Sequence, residues 1–184
     1  MSTVSIGRPK ADEYAEYYAR YISRVPEGDL ISMLREQAME TVGMLQSLSA
    51  EQANYAYAPG KWSVKEVVGH VTDAERIFGY RALRFARKDP TELPGFDENA
   101  FVENANFKTR TLPDLLEEFQ VVRASSIHLA KNLEADALEH RGSANGHGIT
   151  VRALLYIIAG HERHHADLLR ERYLVLLRER HLVR

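Results

Sequence analysis

The strongest constraint on the fold is one long apolar helix near the end of the chain. The hydrophobic spacing predicts this helix over 150–177, with Thr150 as its N-cap. At 1.5 Å per residue it is ~40 Å long, and Leu154 and Leu155 lie within ~60° of Ile158 on one face. An apolar face of this length must be buried against other elements, so the rest of the chain has to pack around it.

Histidines interrupt the apolar face of this helix. In the run Gly160-His161-Glu162-Arg163-His164-His165, His165 lies about −20° and His161 about −60° from Ile158, whereas His164 lies about −120° away. His161 and His165 therefore face inward, with Cβ atoms ~6 Å apart. Two buried imidazoles so placed indicate either one shared metal ion, with bonds of ~2.0–2.1 Å, or two separately hydrogen-bonded rings.

A third histidine, His70, lies near the edge of the apolar stripe of an earlier helix. That helix is predicted over 64–88 and begins at a capping box formed by Ser63 and Glu66, with Trp62 placed as a hydrophobic staple. His70 can supply a third ligand, which favours the metal interpretation.

Glu162 is the candidate for a catalytic residue. It projects at about +40°, near the inner face, and can act as a hydrogen-bond acceptor for a ligand, as a proton shuttle, or as the buried partner of an arginine such as Arg81. The salt bridge is the favoured interpretation. The letters also match the His-Glu-x-x-His pattern of zinc proteases, but the extended downstream pattern and a sheet are both missing.

Two further helices complete the predicted framework. They span 30–48, capped by Asp29, and 111–133, capped by Thr111. The loops over 90–110 and 134–149 are long, and no strand is predicted; the first loop is either a lid over the site or a plain crossover. We therefore expect an all-α four-helix bundle in one domain spanning 1–184, with its core over about 29–178.

The N-terminal segment is predicted to add one short helix to this bundle. Residues 1–10 are expected to be frayed, and a helix is expected over 12–22. This helix places Tyr14, Tyr17, Tyr18 and Tyr21 on one face. Packing against the bundle is favoured over a surface that stacks a ligand.

Composition excludes several classes of function. The chain has 184 residues, no cysteine and a net charge of −2. Disulfides, thiolate ligands and a cysteine nucleophile are therefore absent, and no basic bias indicates a nucleic-acid partner. No apolar run reaches the ~18–20 residues of a membrane span, and no signal peptide is evident, so a cytoplasmic protein is expected.

The residues also resemble a known family. Pro59-x-x-Trp62-Ser63-x-x-Glu66-x-x-x-His70, followed by His161-x-x-His164-His165, is similar to the DinB/YfiT-like superfamily. The resemblance implies a four-helix bundle with a three-histidine site of His70, His161 and His165, commonly holding nickel or zinc, and frequent homodimers. It also implies relatives that are transferases or isomerases using low-molecular-weight thiols, or metal-dependent hydrolases.

Three hypotheses follow for the function. Three neutral imidazoles leave a divalent ion its full charge and an open position, where it can hold water with a pKa near ~7 or deprotonate a thiol. The first hypothesis is transfer of a thiol cosubstrate to a small molecule. The alternatives are hydrolysis by metal-bound hydroxide and a non-catalytic binding module that a metal stabilises.

Overall fold

Four long helices form the framework of the computed structural model, which describes residues 5–179. They are α2 (Leu30–Leu45), α4 (Val64–Ala86), α6 (Leu112–Lys131) and α7 (Val151–Leu168). Helices α2 and α4 each pack against both α6 and α7. The predicted four-helix bundle is confirmed, but α2 and α4 lie diagonally across it, so the order around the bundle is not simply up and down.

The starts of these helices agree with the sequence analysis. The carboxylate of Asp29 accepts from the Ser32 amide at 2.9 Å, and Thr111 and Thr150 likewise cap α6 and α7. At the start of α4, the Ser63 amide donates to Glu66 Oε2 at 2.7 Å and the Glu66 amide donates to Ser63 Oγ at 3.3 Å. Each cap satisfies amide groups that have no partner inside the helix.

The ends of the helices differ from the prediction. Helix α2 stops at Leu45, three residues early, and a short helix α3 (Ala50–Ala53) follows it. The last predicted helix is not α-helical throughout: a π-helical segment over Leu169–Leu174 separates α7 from α8 (Val175–Glu179). A π segment widens the helix locally, and hydrophobic periodicity alone does not reveal it.

A β-hairpin replaces part of the second predicted loop. Strands β1 (Arg141–Ala144) and β2 (His147–Thr150) pair antiparallel around Asn145 and Gly146, whose φ angles are +53° and +76°. The expectation that 134–149 is all loop was therefore wrong. Asn-Gly at the centre of a two-residue hairpin turn is a known signal, because both positions need positive φ.

The first long loop also contains regular structure. It holds a short helix α5 (Glu98–Asn104), and Leu93 pairs with Ala144 of the hairpin. Phe107 packs directly on Gly69, where an added Cβ would lie 2.5 Å from the ring. The loop is thus fixed to α4 beside His70.

The N-terminal segment packs against the bundle. Instead of one helix over 12–22, it forms two 3₁₀ turns, Ala11–Glu13 and Glu16–Tyr18, followed by α1 (Ala19–Ile22). Residues 1–4 lie outside the described part of the chain. Over 5–10 the chain is held rather than frayed, because Ile6 is buried and Arg8 donates to the Ile22 carbonyl at 2.9 Å.

The bundle contains two apolar clusters, and the histidines lie where they meet. Phe78 of the cluster around α7 contacts the His161 ring, with centroids 5.8 Å apart. Trp62, which packs on the second cluster, lies 4.7 Å from the His70 ring. In the part of the chain that the structure describes, none of the helices has the length and apolarity needed to cross a membrane.

Candidate metal centre

Helices α4 and α7 bring the three predicted histidines together. One ring nitrogen from each of His70, His161 and His165 lies within 4.8 Å of the other two. The Nε2 atoms of His70 and His161 are 3.1 Å apart, and the ring centroids of His161 and His165 are 4.6 Å apart. All three side chains are buried, with exposed fractions of 6%, 6% and 8% in the same order.

Burial keeps these imidazoles neutral at pH 7. It lowers the pKa of His70 to about 4, with a smaller contribution from the charge of His164. Burial and the neighbouring histidines hold the pKa values of His161 and His165 well below the ordinary 6.5. A neutral imidazole offers the nitrogen lone pair that a metal bond requires.

The geometry of the cluster fits a divalent metal. Two nitrogens bound to one tetrahedral ion at ~2.0–2.1 Å lie about 3.3 Å apart, close to the observed 3.1 Å. In addition, Nδ1 of His165 is buried without a hydrogen-bond partner among the described residues. An all-imidazole donor set suits zinc, nickel or another transition metal rather than calcium or magnesium, which prefer oxygen ligands.

His164 lies outside this cluster. Its ring is half-buried and packs on Tyr21, with centroids 5.6 Å apart. The different placement of His164 and His165 follows from the helix, because adjacent residues project ~100° apart.

Glu162 forms a buried ion pair instead of entering the cluster. Its Oε2 lies 2.6 Å from Nη1 of Arg123, and the Thr41 hydroxyl donates to its Oε1 at 2.8 Å. Arg123 also binds both carboxylate oxygens of Glu75, at 2.9 and 2.8 Å. Burial raises the pKa of Glu162, although Arg123 and Thr41 act in the opposite direction.

The prediction of a salt bridge between Glu162 and an arginine such as Arg81 was therefore only partly right. The favoured salt bridge exists, but Arg123 of α6 forms it, whereas Nη2 of Arg81 donates to the Pro94 carbonyl at 2.7 Å. The helix count places Glu162 near the inner face without showing which neighbouring helix meets it.

A cavity of about 400 Å³ opens over the histidines. Its volume lies in the range of sites that hold small molecules. Aromatic side chains form much of its wall, together with a few charged and polar groups. The lining residues are Ala15, Tyr17, Tyr18, Arg20, Tyr21, Trp62, His70, Phe78, Arg81, Gly95, Phe96, Glu98, Ala144, Asn145, His147, His161, His164 and His165.

Three segments outside the long helices contribute to this wall. They are the N-terminal segment, the stretch around Phe96 and the turn of the hairpin. Tyr18 and Tyr21 thus both pack on the bundle and face the cavity, so the two interpretations of the tyrosine face do not exclude each other. Tyr17 borders the cavity but is largely exposed. The loop over 90–110 likewise supplies part of the wall beside the site.

Sequence reasoning missed several of these wall residues. Trp62 was expected only to staple the start of α4, yet its ring packs on His70. The hairpin residues were placed in a loop. The Asn-Gly pair and the tyrosine repeat were the available signals, but neither indicates which cavity a side chain borders.

Comparison with known proteins identifies the family. A family model described as the DinB superfamily matches residues 33–169, which include all three histidines of the cluster. The chain belongs to the DinB superfamily. No curated protein matches this DinB-superfamily chain.

Two solved structures share the fold of this DinB-superfamily protein. One is YfiT from Bacillus subtilis, a probable metal-dependent hydrolase with an unusual four-helix bundle topology; it is 18% identical, with a TM-score of 0.66 over 94% of this chain and 93% of YfiT. The other is a DinB-like protein, YjoA, from Bacillus subtilis, which is 21% identical. Its TM-score is 0.57 over 82% of this chain and 90% of YjoA.

Proposed function

We propose that this protein is a metal-dependent enzyme that transfers a low-molecular-weight thiol to a small electrophilic substrate. The observation behind this proposal is a cluster of three buried, neutral histidines that borders a cavity of small-molecule size. His70, His161 and His165 would hold nickel or zinc. When bound by three imidazoles, such an ion lowers the pKa of a coordinated thiol or water.

The placement of carboxylates around the cavity favours a thiol over water as the nucleophile. Among the residues that line it, Glu98 is the single carboxylate, and it is exposed on α5. Glu162 is held by Arg123 and Thr41. Hydrolysis with a carboxylate as general base is therefore disfavoured, which leaves His147 and His164 of the lining as candidate bases. A thiol with a pKa near ~8.5 loses its proton far more readily than water and needs such a base less.

The proposed transfer balances without a further reactant. The thiol sulfur forms a bond to the electrophilic carbon, and the leaving group departs with its bonding electron pair. The thiol proton passes to solvent. The aromatic wall, including Trp62 and Tyr21, would orient the electrophile and limit the access of water to the reacting atoms.

Hydrolysis is the second candidate. The description of YfiT as a probable metal-dependent hydrolase supports it. A non-catalytic module is less well supported, because a site that only stabilises the fold needs no adjoining cavity. We further propose that the protein acts in the cytoplasm and forms a homodimer. Sedimentation analysis would test the dimer.

The metal site is tested by elemental analysis of purified variants. We expect His70→Ala, His161→Ala and His165→Ala each to reduce bound nickel or zinc at least tenfold. His164→Ala should retain the wild-type content, because its ring lies outside the cluster. Equal metal loss in His164→Ala and His165→Ala, or unchanged metal in all three ligand variants, would contradict the assignment.

The reaction is tested with the metal-loaded protein. It is incubated with an alkyl or aryl halide and a panel of biological thiols, and separately with simple esters and amides. Turnover that requires both the thiol and the metal supports the proposal, and His128→Ala, on the exposed face of α6, serves as the unaffected control. Metal-dependent ester or amide cleavage without a thiol would support hydrolysis instead.

A further inference from the structure

Arg81 is a buried cation in the wall of the cavity without a carboxylate partner. Its exposed fraction is 3%, and its Nη2 donates to the Pro94 carbonyl at 2.7 Å. No carboxylate of the described residues lies within 4.0 Å of its guanidinium. Arginine stays charged at any physiological pH, and burying an uncompensated charge is costly, so the site is incomplete without an anion.

Tyr18 lies beside Arg81 and offers a second hydrogen-bond donor. Burial raises the pKa of Tyr18, and the charge and hydrogen bond of Arg81 oppose that rise. The phenol therefore stays protonated at pH 7. A guanidinium next to a phenolic hydroxyl is a donor pair that suits the two oxygens of a carboxylate.

The remaining charges of the cavity also favour an anionic ligand. Two arginines, Arg20 and Arg81, line it, whereas Glu98 is the single acidic residue of the lining and is exposed. Arg20 stacks on the ring of Tyr17, 3.9 Å from the centroid. The cavity thus presents an excess of positive charge, which attracts anions.

The distance between Arg81 and the histidine cluster indicates the shape of the ligand. It follows His70 by eleven residues on α4, or about 16 Å along the helix axis. Phe78 lies between them, with its ring 5.8 Å from His161 and 6.3 Å from Tyr18. A ligand that reaches from the histidines to Arg81 is therefore elongated and passes an apolar, aromatic wall.

We infer that the cavity binds an elongated ligand with a terminal carboxylate, which Arg81 and Tyr18 hold at the end remote from the histidine cluster. The role of the other end as the reacting end rests on the proposed function. The carboxylate belongs either to the thiol or to the electrophile, and the chemistry recognised by Arg81 is the same in both cases.

Ligand binding is measured through the fluorescence of Trp62, the chain's single tryptophan, which lines the cavity. The probes are ω-phenylalkanoates of increasing chain length and their primary amides, titrated into the metal-loaded protein. We expect the longer acids to bind at least tenfold more tightly than their amides. Arg81→Gln should abolish this preference and leave amide affinity unchanged, whereas Arg84→Gln, outside the cavity lining, should retain it.

Several results would overturn this inference. One is an acid preference that survives in Arg81→Gln, and another is an equal loss of acid and amide binding, which would indicate a structural role for Arg81. A preference that disappears on removal of the metal but persists in Arg81→Gln would place the carboxylate at the metal. If Arg81→Gln does not fold, Tyr18→Phe takes its place and should reduce the preference about threefold.

Turnover assays identify which reactant has the carboxylate. Acid and amide forms of the thiol are compared, then acid and amide forms of the electrophile. Arg81→Gln should raise KM about tenfold for one acid form alone; unchanged KM for both would contradict the inference. The binding titration does not depend on turnover, so a failure of the proposed reaction leaves the result for Arg81 intact.

Discussion

Among single residues, Glu162 offers the clearest test of a structural role against a catalytic one. Glu162→Gln removes one charge from the buried group of Arg123, Glu75 and Thr41. We expect the free energy of unfolding to fall by about 2 kcal/mol, as for other buried charged hydrogen bonds, with metal content unchanged. Urea unfolding and elemental analysis measure the two quantities.

The control is Glu117→Gln, an exposed carboxylate on α6, which should change stability by less than about 0.5 kcal/mol. A Glu162→Gln variant of wild-type stability whose turnover falls at least a hundredfold would show that Glu162 is catalytic after all.

The inward or outward placement of each histidine could be predicted from the sequence, but the partner of Glu162 could not. Angles around one helix separate His161 and His165 from His164, because the angle between two residues of a helix depends only on their spacing in the sequence. The pairing of Glu162 with Arg123 depends on how α6 and α7 are arranged around the bundle. Spacing within one helix contains no information about that arrangement.

Between elements, Gly160 permits a close approach of α1 to α7. A Cβ at this position would lie 2.1 Å from the backbone oxygen of Tyr21, so α1 can pack against α7 only when residue 160 lacks a side chain. Gly160→Ala should displace α1 and Tyr21 and destabilise the protein by about 1–3 kcal/mol. The free energy of unfolding and the fluorescence of Trp62 would report the two effects.

Gly79→Ala is the matched helical control. The nearest atom to a Cβ there is the Ser126 hydroxyl oxygen at 3.9 Å, an ordinary contact. Alanine also favours the helix, so this variant should be neutral or more stable by up to about 1 kcal/mol. Equal destabilisation by the two substitutions would mean that α1 does not need the close approach at Gly160.

The starts of the long helices could be predicted from the sequence, whereas the hairpin and the π-helical segment could not. Helix starts at Asp29, Ser63, Thr111 and Thr150 follow from local side-chain hydrogen bonds, so the sequence suffices to locate them. The hairpin has strands of four residues, too short for an alternating pattern to be distinguished from a loop. The π-helical segment Leu169–Leu174 is a local change of backbone hydrogen bonding inside a long apolar helix, and hydrophobic spacing does not indicate it.

For the whole molecule, Glu13 links the N-terminal segment to the start of α7. Its carboxylate accepts from Arg152 at 2.9 and 3.0 Å and from the Thr150 hydroxyl at 2.8 Å. Burial alone would raise the pKa of Glu13, but these bonds and the Lys10 amide bring it below the ordinary 4.5. Its stabilisation is therefore complete above pH 4.5 and is lost as pH falls through the lowered value.

Glu13→Gln should accordingly lower the free energy of unfolding by about 1.5–3 kcal/mol at pH 7. The difference from wild type should shrink as the pH is lowered below 4.5. Urea unfolding at a series of pH values measures this difference, with Glu103→Gln on α5 as an exposed control. A difference that is constant down to pH 3, or that grows on acidification, would contradict the assigned role of Glu13.

The division between helices and cavity wall has a consequence for how such a protein can diversify. The three clustered histidines come from two framework helices, whereas most of the wall facing them comes from short segments that connect or precede the helices. Connecting segments tolerate substitution and changes in length better than a packed core does. The lining of the cavity can therefore change in evolution while the histidine cluster on the framework helices is kept.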